Sequence, residues 1–470
     1  MNTREIVLDT LLALEREGEY SHRLVKAVLD KYDYLQARDR AFIKRLTEGT
    51  IERRLELDYY LNCYSSLPVR KMKPLIRCLM RMSVYQILYM DSVPDSAACN
   101  EACRLAARRK FGNLKGFVNG VLRRISGEKS ALPLPDREKE PEKYLSVKYS
   151  MPKWLVELWM DEYGRDVTAA LLKGLMEIHP VSLRFAASLS RGEREALCRD
   201  MEGRGMELAQ SPYLPYVCLV EGHGENPALL PAFAEGKCTV QDVSSVLAVE
   251  AAGIKEGDFV VDACAAPGGK TILAAEKAGT GRVLARDVSE EKAALIRENA
   301  ERMRAENIEL QVYDAVRRDE GLEGKADVVL LDVPCSGLGV MGKKRDIKYR
   351  VSEENLPGLE ELQRQIAAAS AGYVRPGGIL LYSTCTIRRA ENEAMVRYIT
   401  EELGFEPMPL EGLLPEMLLK EKEELEEARR KAGKEEAWLT EDEKKACIQL
   451  LPGYMGTDGF FIARFRRPQR

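Results

Sequence analysis

The sequence predicts a multidomain protein: an all-α bundle, then a small α+β module, then an α/β domain on a mostly parallel sheet. Three observations carry that reading. Apolar residues recur every three or four positions through the first 127 residues, a proline- and charge-rich stretch follows, and from about Gly236 strand-like and helix-like segments alternate. A chain of 470 residues has room for such parts at roughly 100–200 residues per domain.

The bundle spans 1–128. Ile6, Leu8, Leu11, Leu12 and Leu14 mark one helix face, and Pro68, Pro74 and Pro94 punctuate successive helices, giving five to seven in all. Charge there is uneven. Between Pro68 and Arg124 stand twelve basic residues against three acids, a local excess of nine in a chain whose net charge is −4. Such a surface attracts phosphates by counterion release, and RNA is the favoured partner over a merely solvated face. Residues 129–143, with Pro133, Pro135 and Pro141, read as a linker. The α+β module spans 144–235, with a helix start at Pro152 and strands at His179–Phe185 and Tyr216–Val220.

The α/β domain spans 236–470. Phe259-Val260-Val261, Val283-Leu284-Ala285, Leu310-Gln311-Val312, Val328-Val329-Leu330 and Gly378-Ile379-Leu380-Leu381 read as buried parallel strands, and Glu290 to Arg304 as a helix between two of them. Residues 418–447 are mostly Glu, Lys and Arg and read as an exposed charged helix or a disordered insertion. Gly459 to Phe465 reads as a final strand.

Bulk features exclude several classes. No apolar run reaches the roughly 18 residues of a membrane-spanning helix. Three histidines are too scattered for a zinc site, and eleven cysteines form no CxxC pair. Without a secretory leader, reduced thiols, a cytoplasmic location and a monomer are expected.

The first strand of the α/β domain runs into Cys264-Ala265-Ala266-Pro267-Gly268-Gly269-Lys270. Glycines there allow a sharp turn into a helix and close approach of a ligand. The Gly-Lys-Thr ending is not a phosphate loop, because Cys264 stands where a phosphate loop needs its first glycine, and no GxGxxG exists. Asp287 closes the second strand and is placed to accept ribose hydroxyls, while Asp314 closes the third, where an adenine amino group would lie. Turn and acids together fit an adenosine ligand without phosphates, S-adenosylmethionine.

Two cysteines follow strand ends, Cys335 in Asp332-Val333-Pro334-Cys335-Ser336-Gly337 and Cys385 in Ser383-Thr384-Cys385-Thr386. Strand C-termini of open α/β sheets are where chemistry happens, so two thiols there predict covalent catalysis on a polarised ring. Carbon 5 of cytosine is such a case: a thiolate added at carbon 6 makes carbon 5 enamine-like and able to attack a methyl sulfonium. Asp332, three residues before Cys335, is placed to hold the ring at nitrogen 3 and to line the cofactor site. Cys63, Cys78, Cys198, Cys218, Cys238 and Cys447 read as ordinary core residues.

At these motifs, with Gln241-Asp242-Val243-Ser244-Ser245, Glu391-Asn392-Glu393 and Asp458-Gly459-Phe460-Phe461, the chain resembles the RNA cytosine-5 methyltransferases of the bacterial Sun/Fmu group. That resemblance implies a Rossmann-like class I methyltransferase with a seven-stranded, mostly parallel sheet. It also implies Cys385 as nucleophile, Cys335 as the residue that assists product release, and an RNA-recognition-like middle module. Gly116 to Arg124 makes the bundle similar to the NusB family of RNA-binding proteins. The combination implies 16S rRNA as partner, naked or in an early small-subunit particle, with cytosine 967 as the target and no role for DNA or membrane. Transfer-RNA or large-subunit rRNA methylation, or a non-catalytic assembly role, are the rival readings. The chain departs from the family at His179-Pro180, where Asn-Pro is usual, and in the length of the charged segment before Asp458.

Overall fold

Among the described residues of the first 127, seven α-helices form: Thr3–Glu17, Ser21–Lys31, Ala37–Glu52, Arg54–Tyr64, Pro74–Tyr89, Asp95–Arg108 and Lys115–Gly127. Pro74 opens its helix and Pro94 precedes the next, where a missing N–H costs nothing. The computed structural model describes residues 2–17, 20–177, 180–221, 226–434 and 439–469, which form two compact units. His179 lies outside the described residues.

The first unit holds Met1–Asp161 and Lys343–Arg350. Its core joins Leu8, Leu46, Leu57, Leu79 and Leu122 from five of the helices. Residues 144–161 belong here rather than to the α+β module, a correction to the expected boundary. The Ser150 hydroxyl accepts a hydrogen bond from the Leu55 amide at 3.0 Å, a long-range contact that local periodicity does not carry. The Lys343–Arg350 segment was expected in the α/β domain. In the first unit, Asp346 accepts from the Ser21 amide and hydroxyl at 2.9 and 2.6 Å, and the Arg54 guanidinium lies 3.6 Å from the Tyr349 ring centre.

Acids outside the basic window also temper its charge. Arg77 and Arg81 pair with Glu15, Arg81 with Asp58, and Arg108 and Arg109 with Glu5. Arg70, Lys71, Lys73, Lys110, Lys115, Arg123 and Arg124 stay exposed and make no ion pair among the described residues. Cys63 is exposed on its helix, not a core residue, and Cys198 is half-buried.

The second unit, Glu162–Gly342 with Val351–Arg470, carries two sheets. Strands β1 (Val181–Phe185), β2 (Glu207–Gln210), β3 (Val217–Glu221) and β4 (Cys238–Val240) form an antiparallel sheet in the order β2-β3-β1-β4. The module therefore extends past residue 235. Three residues of β4 are too few to show alternation.

The larger sheet contains β5 (Phe259–Asp262), β6 (Arg282–Asp287), β7 (Ile308–Val312), β8 (Ala326–Asp332), β9 (Val374–Thr384), β10 (Glu406–Pro407), β11 (Cys447–Leu450) and β12 (Phe460–Arg466). Seven run in the order β10-β12-β9-β8-β5-β6-β7, with β5 to β9 mutually parallel and β12 antiparallel. The eighth, β11, shares the outer edge of β12 with β10. Part of the charged segment is thus neither exposed nor irregular. Helix Glu416–Lys431 buries Leu418, Leu425 and Arg429, positions on one face that its Glu and Lys content obscures. Thr440 caps helix Glu441–Ala446 through a reciprocal capping box. No helix among the described residues is long and apolar enough to cross a membrane.

Candidate active site

Parallel strands β8 and β9 run side by side, pairing Asp332 with Ser383. The chain beyond each strand therefore meets at one place. There the sulfur atoms of Cys335 and Cys385 lie 3.3 Å apart. Both cysteines are half-buried. The hydrogen bond with Cys385, then burial, push the Cys335 thiol far up, and either sulfur can donate in that contact.

The Cys335 loop is clamped from below. Glu391, fully buried, accepts from the Ser336 amide at 2.9 Å, from the Ser336 hydroxyl at 2.5 Å and from Gln363 at 2.9 Å. Gln363 also donates to the Pro334 carbonyl at 2.9 Å. On the Cys385 side, Thr384 donates to Asn392 at 2.6 Å, and Asn392 donates to the Thr386 carbonyl at 3.1 Å. The Gly339 amide donates to the Cys385 carbonyl at 3.0 Å, and Gly339 passes so close to Gly459 that any side chain would strike its carbonyl. These loops are close-packed before any ligand arrives.

The turn after β5 supplies the third wall. Its Ala265 amide donates to the Arg286 carbonyl at 2.9 Å, and its Ala266 amide to the Asp287 carboxylate at 3.0 Å, fastening Cys264–Lys270 onto β6. Lys270 donates to Asp332 at 2.7 Å and to Ser245 at 3.2 Å. Burial acts to lower the Lys270 ammonium, but the charges of Asp332, Asp262 and Cys385 outweigh it and raise it. An ammonium committed to Asp332 is not left for a phosphate, and it faces the nucleophile candidate. Asp332 also accepts from the Ser383 hydroxyl at 3.0 Å.

The sequence-identified residues thus fall into two groups. Cys335, Cys385, Asp332 and Lys270 are brought together. Ala265, Ala266, Pro267, Gly268, Gly269 and Asp287 form the adjoining turn, while Cys264 is half-buried beside it and burial pushes its thiol up. Asp314 stands two residues past β7, partly exposed, accepting from the Val316 amide at 3.3 Å. Carboxylates at the ends of β6 and β8 and just past β7, with the Lys270 and Lys292 ammoniums already paired to Asp332 and Asp287, suit a cationic sulfonium nucleoside that carries no phosphate.

The profile of the 16S rRNA methyltransferase RsmB/F family matches residues 251–466, and that of the NusB family matches 1–127. A probable ribosomal RNA small subunit methyltransferase B of Bacillus subtilis (strain 168) is 34% identical, over 99% of each chain. The chain belongs to the ribosomal RNA small subunit methyltransferase B family. It is an S-adenosylmethionine-dependent RNA methyltransferase. Another family member, a probable enzyme of the same name from Synechocystis, is 28% identical over 99% of this chain and all of its own. The crystal structure of PH0851 has the same fold, with a TM-score of 0.76 at 24% identity over 99% of each chain. The crystal structure of NSun6 from Pyrococcus horikoshii with SFG covers 67% of this chain and 98% of its own, with a TM-score of 0.55 at 21% identity.

Within this family site, sequence reasoning quoted Ser245, Ser383, Glu391 and Asn392 only as parts of motifs, and passed over Gln363, Tyr163 and Asp262 as site residues. Asp262, fully enclosed at the end of β5, accepts from Thr271 at 2.7 Å, and burial pushes its carboxyl up to about 7. A strand-end acid followed nine residues later by a threonine was the available signal.

Proposed function

We propose that this methyltransferase modifies carbon 5 of one cytosine in 16S rRNA, cytosine 967 in the implied numbering, through a covalent cysteine adduct. The observation that carries the reading is the meeting of two thiols, 3.3 Å apart, beside the Lys270–Asp332 pair. The target base must leave its stack to enter a site at the strand ends. Asp332, a hydrogen-bond acceptor fixed by Lys270 and Ser383, holds the ring edge at nitrogen 3 in its protonated form. Cys385 sulfur, as thiolate, bonds to carbon 6, and the carbon 5–carbon 6 π pair moves to carbon 5. Lys270 favours the thiolate electrostatically. S-adenosylmethionine would be held along the 264–270 turn, Asp287 and Asp314 and would supply an electrophilic methyl for carbon 5, the methyl–sulfur bonding pair staying on the sulfur of the departing S-adenosylhomocysteine. The carbon 5 proton is then lost to solvent water, its bonding pair rebuilds the carbon 5–carbon 6 double bond, and the Cys385–carbon 6 bond breaks with its pair returning to sulfur as thiolate. Cys335, its sulfur 3.3 Å from the departing one, permits that elimination. Exposed cations of the NusB-like bundle, Arg70 and Lys71 among them, hold RNA backbone.

Incubating the protein with labelled S-adenosylmethionine and unmodified 16S rRNA tests this directly. Methylation at carbon 5 of a single cytosine is expected. Transfer to transfer RNA alone would discard the substrate, and transfer to another base atom would discard the mechanism.

A further inference from the structure

Helix Glu416–Lys431 lies in the charged segment that the catalytic motifs do not require. Its Arg429 is almost fully buried. The guanidinium lies 3.7 Å from the buried Glu393 carboxylate and 4.9 Å from the centre of the Tyr163 ring. Tyr163 in turn donates its hydroxyl proton to the Ile387 carbonyl at 2.7 Å. Ile387 is two residues beyond Cys385, and Glu393 closes the same loop. One arginine therefore touches both Tyr163, which holds the Ile387 carbonyl, and Glu393, farther along the segment that carries the proposed nucleophile.

The surroundings show that this helix is seated, not draped. Gly164 follows Tyr163 with φ +83°, and a side chain there would meet Ala432 Cβ at 2.5 Å. Glu421 of the helix accepts from Tyr213 at 2.7 Å, and the Tyr213 hydroxyl accepts from the Gly456 amide at 3.0 Å. Beneath the same loop, Glu162 accepts from the Arg389 amide at 3.3 Å, and Arg388 pairs with Glu360 at 2.6 Å. A buried charge needs a partner, and removing one member of such a pair strands the other. Losing Arg429 would leave Glu393 without this cation and Tyr163 without its lid.

We propose that Arg429 is a positioning residue for methyl transfer: from the charged helix it holds Glu393 and Tyr163, and through them the backbone on which Cys385 stands. The inference rests on Cys385 being the nucleophile. Small displacements of a reacting group are costly, on the order of 10²-fold in rate for about 1 Å. A guanidinium that only filled space would be replaceable by an apolar side chain. One that fixes a carboxylate and a ring would be replaceable only by another cation.

The test uses the full-length chain in a Cys335→Ala background, where the protein–RNA adduct accumulates and can be counted on a denaturing gel. The probe is unmodified 16S rRNA with S-adenosylmethionine. Arg429→Met should slow adduct formation on the order of 10²-fold, with RNA affinity and S-adenosylmethionine affinity each within about twofold, and Arg429→Lys should restore most of the rate. Equal adduct rates in Arg429→Met and its parent, measured on protein that binds S-adenosylmethionine normally, would overturn the proposal. So would Arg429→Lys failing as badly as Arg429→Met. Should Arg429→Met not fold, Tyr163→Phe, which removes only the bond to Ile387, must slow the adduct by itself, and an unchanged rate overturns the proposal. If the Cys335→Ala parent itself forms no adduct, the nucleophile assignment fails instead, and the two failures are told apart.

Discussion

Two pairs of cysteines in this protein stand at nearly the same separation, and only one is proposed to do chemistry. Cys335 and Cys385 are 3.3 Å apart at the ends of β8 and β9, while Cys198 and Cys218 are 3.5 Å apart between helix Arg191–Gly203 and β3 of the small module. In each pair the mutual hydrogen bond pushes one thiol up, Cys335 in the first and Cys218 in the second. Thiol pairing alone therefore does not mark an active site. What differs is the setting. The first pair is half-buried, faces the Lys270 ammonium and has Asp332 at hand to hold a ring. In the second, the hydrogen bond with Cys218 lowers the Cys198 thiol against burial, Glu202 and Glu195, and Cys218 packs among Leu183, Val220 and Cys238. Burial in an apolar cluster makes a cysteine a small hydrophobe, and a cation beside an accessible sulfur makes it a nucleophile.

The largest effects should separate the pairs outright. Cys385→Ala is expected to abolish methylation, and Cys335→Ala to stall after addition, leaving protein crosslinked to RNA. Cys198→Ala and Cys218→Ala should each methylate within about twofold of the parent, as substitutions away from a reacting centre usually do. Methyl incorporation and a denaturing gel read both outcomes. Normal turnover by Cys385→Ala would remove the distinction between the pairs altogether.

A smaller effect isolates the cation. Lys270→Met keeps most of the side-chain volume but removes the charge that favours thiolate and fixes Asp332. A loss of about 10²-fold in methyl transfer is expected, the usual scale for one electrostatic contributor in a water-poor site. Raising the pH should recover part of the activity of Lys270→Met, because more thiolate forms without help, whereas the parent should gain less. A flat pH response in Lys270→Met would show that Lys270 serves only to hold Asp332.

How much of this was legible beforehand follows a physical line. Continuous apolar runs announced the parallel strands, and glycines, acids and cysteines at their ends pointed to the place where Cys335 and Cys385 meet, because these depend on neighbours in sequence. The Lys343–Arg350 segment, the seating of Arg429 and the clamp of Glu391 on Ser336 depend on side chains meeting across tens to hundreds of residues. No local period records such meetings. The charge of the bundle shows the same limit: the window from Pro68 to Arg124 was counted without Glu5, Glu15 and Asp58, which folding brings against it. Strands β4 and β11 escaped because three or four residues give alternation too little room.

The smallest expected effect asks whether the electrostatic setting of the catalytic pair extends into stability. Asp262 lies beneath the site, and burial first, then the charge of Asp332, push its carboxyl up to about 7, against the pull of Thr271 and Lys270. In the unfolded chain the same carboxyl loses its proton near the usual value of about 4. Between those two points the folded protein binds the extra proton, so stability falls as pH rises through that window and levels off above it. Asp262→Asn has no proton to lose and should remove that slope. Urea midpoints at pH 5 and pH 8 should differ less for Asp262→Asn than for the parent, and Cys218→Ala, which leaves Asp262 in place, should keep the parent's difference. An unchanged pH dependence in Asp262→Asn would mean the carboxyl is ionised throughout, held by Lys270 and Thr271, and the charge beneath the active site would then be one negative unit larger than burial alone allows.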